Sequence, residues 1–222
     1  MTQSMQKKKH EESIVKPARG RPRDAEKNTA IITAAIDLFL EQGFDGTSMD
    51  QVAQRAGVSK QTVYSHFSNK EQLFGEAVHS EIAVHYPERA LETVETHTLE
   101  ADLTAVCNRL ATLLMSERAF SMFRLLVTAA ARGPALADIF WQSGPADVQQ
   151  QLAKFLQTWV DRGELDIEDT VQAGQQLVAL FKEPSHFKVS IGVEKPPTAE
   201  AVEAQVATAV ASFLKLYGVA KT

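Results

Sequence analysis

An all-α protein is predicted, with a three-helix head carrying a helix-turn-helix followed by a larger helical bundle. Three observations predict it. Apolar residues recur at three- and four-residue steps along most of the 222 residues, with no convincing strand-like alternation. Capping signals and a glycine stop bracket two short helices within residues 47–70. Gly133-Pro134, Ser143-Gly144-Pro145 and Gly163 then punctuate the C-terminal part at helix-length intervals.

The elements follow in order. Residues 1–23 show no helical periodicity and are rich in Lys, Arg, Ser, Gln and Gly, which predicts a disordered basic arm. Within it Arg19-Gly20-Arg21-Pro22-Arg23 resembles an AT-hook core, an extended segment lying in a narrow minor groove. A·T-rich minor grooves carry enhanced negative potential, so Arg19, Arg21 and Arg23 suit them. A solubilising basic tail is the alternative. A first helix is expected over 24–42, with Ile32, Ala35, Ile36 and Phe39 on one face. Gly43 should stop it, and Phe44 is placed to pack back on its last turn.

A second helix starts at Ser48, where Ser48-x-x-Gln51 forms a capping box; Met49, Val52, Ala53 and Ala56 follow helical spacing up to Gly57. Ser59 caps a third helix of about two turns ending near Phe67. Ser68-x-x-Glu71 reads as another box opening a fourth helix, with Leu73, Phe74, Ala77, Val78 and Ile82 as its buried stripe. Pro87 should end or kink it. Further helices are expected near 101–115, 117–132, 134–142, 145–162, 167–182 and 198–217, with a mobile loop over 183–197. The domain division is thus 1–23 arm, 24–75 head and 76–222 helical ligand-binding and dimerisation domain.

The third helix is unusually polar for a core segment. Only Val63 and Phe67 are apolar anchors, while Lys60, Gln61, Thr62, Tyr64, Ser65 and His66 all hydrogen-bond. Two helices joined through a short Gly-containing turn form the helix-turn-helix pattern, whose second helix enters the DNA major groove. The net charge of −5 argues weakly against such a partner until it is divided. Residues 1–70 hold 11 Lys and Arg against 8 Asp and Glu, a net +3, and the remainder carries −8. Polyanion contact depends on the local face, so any footprint belongs at the N-terminal end.

In the last helix Val202, Val206, Ala209, Val210, Phe213 and Tyr217 form one face, and five alanines keep the rest small. Val171, Gly174, Leu177, Val178 and Phe181 offer a similar face on the preceding helix. Two such helices per chain, paired about a twofold axis, would make a four-helix bundle. Burial of both faces within one protomer is the alternative. Phe120, Phe123, Phe140, Trp141, Phe155 and Trp159 are candidate linings of a pocket for a small apolar or amphipathic effector, and equally at home as core.

The run through AAIDLFLEQGFDGTSMDQVAQRAGVSKQTVYSHFSNKEQLF resembles the TetR family of bacterial transcriptional regulators. Its features are Gly-Phe, Thr-Ser, Ala-x-x-Ala-Gly-Val-Ser, Tyr-x-His-Phe and Asn-Lys-Glu-x-Leu-Phe in that order. The C-terminal part is similar, more loosely, to the AefR-like subgroup through Phe123-Arg124-Leu125-Leu126, Phe140-Trp141-Gln142-Ser143-Gly144-Pro145 and Gly163-Glu164-Leu165. The resemblance implies a dimeric, ligand-responsive repressor on a pseudo-palindromic duplex operator. It implies phosphate contacts at Thr47 and Ser48, base or phosphate contacts at Ser59, Lys60, Gln61 and Thr62, and backbone clamping by Tyr64, His66 and Lys70. Many relatives carry Gly where Gln61 stands, so that side chain adds a base contact or shifts the docking angle.

No catalytic chemistry is expected. Cys107 lies among Leu103, Val106 and Leu110, where a lone cysteine is usually a small core hydrophobe. His79 and His85 are six residues apart and face different sides of a helix, so neither a metal nor another cofactor is expected. No run approaches a membrane span and no secretory signal is visible, which together with the single cysteine points to the cytoplasm.

Overall fold

The computed structural model describes residues 21–85, 98–130 and 134–219, with backbone alone at residues 21–23 and 85. Eleven helices follow one another among the described residues. The head holds α1 (Arg21–Gly46), α2 (Met49–Ala56), α3 (Lys60–His66) and α4 (Lys70–His85). Then come α5 (Leu99–Leu114), α6 (Glu117–Ala130), α7 (Ala135–Gln142) and α8 (Pro145–Asp161). The chain closes with α9 (Thr170–Lys182), α10 (Ser185–Ser190) and α11 (Ala199–Tyr217).

Helix α1 begins three residues before the expected start at Asp24. Arg21, Pro22 and Arg23 therefore have a helical backbone, whereas the minor-groove reading needs an extended one. Pro22 explains the earlier start, since a proline with fixed φ and no N–H fits the first turn of a helix. Arg19 lies outside the described residues. At its other end α1 kinks at Gly43 (φ 80°, ψ 169°) and runs one more turn to Gly46. As expected, Phe44 packs back: its ring lies 5.6 Å from those of Phe39 and Phe74, which are 5.4 Å from each other.

The head core gathers Ile31, Ala35, Phe39, Val52, Val63, Leu73 and Phe74, all fully buried, and Met122 of α6 and Leu136 of α7 close it from below. A second core is built from α5, α6, α8, α9 and α11 around Leu103, Leu110, Phe120, Leu156, Leu177 and Phe213. Ile82 on α4 packs against both. Helix α4 thus belongs to the head at its N-terminal end and to the bundle at its C-terminal end.

Its start differs from the expected Ser68 box. Asn69 is the cap: its Oδ1 accepts from the Gln72 amide at 2.7 Å, while Gln72 Oε1 accepts from the Ser68 amide at 2.8 Å. Asparagine caps as well as serine does, and the amide of Gln72 reaches back where Glu71 was expected to. The stretch 183–197, expected as a loop, contains α10. His186 and Val189 of this short helix are buried against α6.

The larger correction concerns the pairing faces. Gly174, Leu177 and Phe181 of α9, with Val202, Val206, Val210 and Phe213 of α11, are buried in the core of one protomer. Val171 and Val178 are half-buried beside them. The apolar stripes turn inward because α9 and α11 must first bury them against α5, α8 and each other. Outward, α11 presents Ala201, Ala204, Ala207 and Ala211 together with Glu200, Glu203, Thr208, Lys215 and Leu216.

Candidate nucleic-acid interface and helical cavity

The helix-turn-helix forms as its caps dictate. The Ser48 hydroxyl accepts from the Gln51 amide at 3.3 Å, and Gln51 Oε1 accepts from the Ser48 amide at 2.8 Å. Gly57 ends α2 in the left-handed region (φ 67°, ψ 29°), which a side chain would disfavour. Ser59 then caps α3, accepting from the Thr62 amide at 3.1 Å, with the Ser59 and Thr62 hydroxyls 2.8 Å apart. Val63 and Phe67 anchor α3 in the core, as their apolar side chains require.

These caps leave one polar face. Ser48, Ser59, Lys60, Gln61 and Tyr64 are exposed and Thr62 is half-buried. Lys60 and Asp50 join the two helix starts at 2.8 Å, and the ammonium lies 5.9 Å from the Tyr64 ring centroid. The hydrogen bond to Asp50 holds the Lys60 pKa above its ordinary value. Asp50 was not foreseen as its partner. Behind this face Arg55 grips Glu41 through two hydrogen bonds of 3.1 and 2.8 Å; that contact lowers the Glu41 pKa and raises that of Arg55.

Three expected contacts are committed inward. Thr47 is 2% exposed and its hydroxyl donates to the Gly43 carbonyl at 2.8 Å, so it secures the α1 kink. Lys70 donates to the carbonyls of Phe44 and Thr47 at 2.7 and 2.9 Å, with its ammonium 4.4 Å from the Phe44 ring centroid. Its charge caps the end of α1, where carbonyls have no helical partner. His66 is half-buried with its Nε2 3.2 Å from an Asp24 carboxylate oxygen, tying the end of α3 to the start of α1. Sequence spacing could not separate these three from the outward set, because residues of one short helix or turn differ only in direction.

Between head and bundle lies a cavity of about 500 Å³. Its walls come from both sides: Ile36 and Leu40 of α1, Val78 and Ile82 of α4, and residues of α5 through α10. Of the six candidate aromatics, Phe123, Phe140 and Trp141 line it. Phe120, Phe155 and Trp159 belong to the bundle core. The polar lining includes Glu81 and Arg118, paired at 2.6 Å, together with Gln149, Gln175, Lys182 and His186. His186 is 7% exposed, with the rings of Phe120 and Phe123 each 5.1 Å away. Burial, helped by the charge of Lys182, pushes its pKa down to about 4, so the imidazole is neutral at neutral pH. His186 went unmarked because the stretch holding α10 was expected to be a loop, and Lys182, at the end of the expected 167–182 helix, carried no sign of facing a cavity.

Cys107 is fully buried, and burial pushes its thiol up to about 12, as suits a core side chain. The His85 side chain lies outside the described residues, and among those described no group of three His, Cys, Asp or Glu is placed to hold a metal. Nor, among them, is any helix long and apolar enough to cross a membrane.

Comparison with known proteins decides the family. Residues 31–77 match bacterial regulatory proteins of the tetR family, and residues 101–219 match the AefR-like transcriptional repressor C-terminal domain. The chain belongs to the TetR family. Among its TetR relatives, the HTH-type transcriptional regulator YdeS of Bacillus subtilis is 33% identical over 157 residues, 69% of this chain and 76% of YdeS. A TetR-family transcriptional regulator from Mesorhizobium loti superposes with a TM-score of 0.76 at 32% identity, covering 89% of this chain and 99% of that one. The flavonoid-responsive regulator FrrA superposes with a TM-score of 0.72 at 30% identity, covering 89% of this chain and all of FrrA. The TetR assignment makes this chain a DNA-binding regulator of transcription, with α2 and α3 as its helix-turn-helix.

Proposed function

We propose that the protein is a dimeric repressor that binds a pseudo-palindromic operator and releases it when a small apolar or amphipathic effector fills the cavity. The observation that carries this reading is the position of α4. Its N-terminal half supplies Leu73 and Phe74, which seat the reading helix, and its C-terminal half supplies Val78, Glu81 and Ile82 to the cavity wall. A ligand that spreads the cavity must therefore move the helix on which the head rests. A ligand shifts such an equilibrium by its differential affinity for the two arrangements.

Ser48, Ser59, Lys60, Gln61, Thr62 and Tyr64 are the proposed DNA contacts. Hydroxyl and ammonium groups suit phosphates, and a glutamine amide can bond an adenine edge in the major groove. A helix of seven residues grips little DNA by itself, so two protomers are required, with reading helices one or more turns apart at about 34–36 Å per turn. The pairing surface would be the outward alanine face of α11 with its neighbour on α9, where small side chains let a partner helix approach closely. FrrA, flavonoid-responsive by name, supports an effector-governed reading on this architecture. The cytoplasm, where the operator is, would be its place of action.

Footprinting on the DNA upstream of its own gene, with sedimentation of the complex, tests the proposal. Protection of two half-sites by two chains is expected. A single protected half-site, or a monomer on DNA, would overturn it.

A further inference from the structure

The cavity's chemistry points beyond an unspecified effector. Its walls are apolar on most sides, and rings of Phe123 and Trp141 reach its lining while staying 40% and 47% exposed. Such half-covered rings offer a planar ligand a surface at the rim. Three lining residues are of acidic or basic type besides His186: Glu81, Arg118 and Lys182. The first two pair at 2.6 Å, and Asp37, outside the lining, is 3.7 Å from Arg118. Lys182 has no ion pair with any described residue. His186 beside it is neutral, and Glu183, which approaches His186 Nδ1 at 4.0 Å, is half-exposed and lies outside the lining.

Among the described residues that leaves Lys182 as the one lining cation without an ion pair, half-buried at an apolar space. A neutral ligand filling this space would strip water from the ammonium and offer nothing in exchange, which is unfavourable. A cationic ligand would meet like charge. An anionic group restores the balance and gains a charge-assisted hydrogen bond, with the Gln149 and Gln175 amides in the same lining as further donors. A volume of about 500 Å³ suits a molecule of a few fused or linked rings.

We propose that the effector is an aromatic organic anion whose acidic group sits at Lys182 and whose rings lie along Phe123 and Trp141. This inference rests on the effector reading above and adds the sign of the ligand's charge. A matched pair of fluorescent probes tests it on the full chain: 1-anilinonaphthalene-8-sulfonate, and N-phenyl-1-naphthylamine, which has the same rings without the sulfonate. The sulfonate should bind once per chain and at least about tenfold more tightly, the scale of one charge-assisted hydrogen bond. Lys182→Met should bring the sulfonate down to the affinity of the amine, leaving the amine unchanged, and Lys182→Arg should restore the preference. Ala119→Trp, filling the cavity from α6, should abolish both.

Equal affinities in the unaltered protein, or a preference that survives Lys182→Met, would overturn the anion proposal. If the amine still binds once per chain and is lost in Ala119→Trp, the cavity reading stands without it. If neither probe binds, both readings fall. Far-ultraviolet circular dichroism of each variant separates these results from loss of fold.

Discussion

The head and the bundle solve different problems with the same kind of helix. At the centre of the head three phenylalanine rings meet at 5.4–5.6 Å, and even threonine and lysine side chains are spent on main-chain carbonyls. Where head and bundle meet, the helices leave about 500 Å³ open, edged by half-exposed aromatics and by Lys182, which has no ion pair among the described residues. A reading surface needs fixed side-chain positions, so rigidity is useful there. A cavity that answers to a ligand, as proposed, needs walls that can move. On the proposed mechanism a ligand would act on the head through α4, which supplies residues to both the head core and the cavity wall.

The sharpest break of this contrast is Phe74→Ala against Phe123→Ala. Phe74 is fully buried in the ring cluster, so its removal should cost about 3–5 kcal/mol and abolish DNA binding. Phe123 is 40% exposed and lines a space already open, so truncating it should cost far less and leave DNA binding intact. Urea denaturation and gel shifts on both variants check this. Comparable losses would mean the bundle is as tightly packed as the head.

The junction comes next. Gly144 has φ 156°, and a Cβ there would lie 2.5 Å from Cδ1 of Ile82 on α4. Gly144→Ala should therefore cost about 1–3 kcal/mol through a forced shift of Ile82 or the turn. It should also alter DNA affinity, although the site is remote from the reading helix. A stable variant with unchanged affinity would show that α4 does not couple the regions.

His186 distinguishes the bundle through pH. Its folded pKa of about 4 lies below the ordinary 6.5, so between these values the unfolded chain takes a proton that the folded one refuses. Stability should thus fall as pH drops from about 6.5 toward 4, with no contribution above that window. His186→Gln should flatten this slope, which urea midpoints at pH 7 and pH 5 would reveal. An equal slope in the variant would assign the effect elsewhere.

Legibility followed the same division. Caps and stops are local, so Ser48, Gln51, Gly57 and Ser59 announced the helix-turn-helix within a residue or two. The cap of α4 slipped by one residue because Ser68 and Asn69 are both competent caps. Direction was harder. Thr47, His66 and Lys70 match a motif in kind, yet their partners Gly43, Asp24 and Phe44 are set by the approach of α1, which no spacing displays. In the bundle, apolar stripes on α9 and α11 said that something is buried against them and could not say whether it was this chain or a second one. The cavity depends on where eight helices stop short of one another. Only Phe123, Phe140 and Trp141 among the chosen aromatics reach it.

Thr47→Val separates these two kinds of head residue. The valine keeps the shape and loses one part-buried hydrogen bond, so about 1 kcal/mol of stability should go. The salt dependence of DNA binding should stay as it was, since no phosphate contact is removed. A shallower salt slope would return Thr47 to the DNA face.

Lys60→Ala and Tyr64→Ala complete the series with the smallest effect on stability. Both side chains are exposed, and the pairing of Lys60 with Asp50 is a surface contact that water and salt screen. Urea midpoints should therefore match the unaltered protein. DNA binding should weaken in both, and Lys60→Ala should reduce the salt slope by about one counterion if the ammonium leaves Asp50 for a phosphate. Asp50→Asn separates the two partners of that lysine: freed from its carboxylate, Lys60 should bind duplex DNA more tightly and with less regard to sequence. Unchanged gel shifts for Lys60→Ala and Tyr64→Ala together would move the reading surface away from α3.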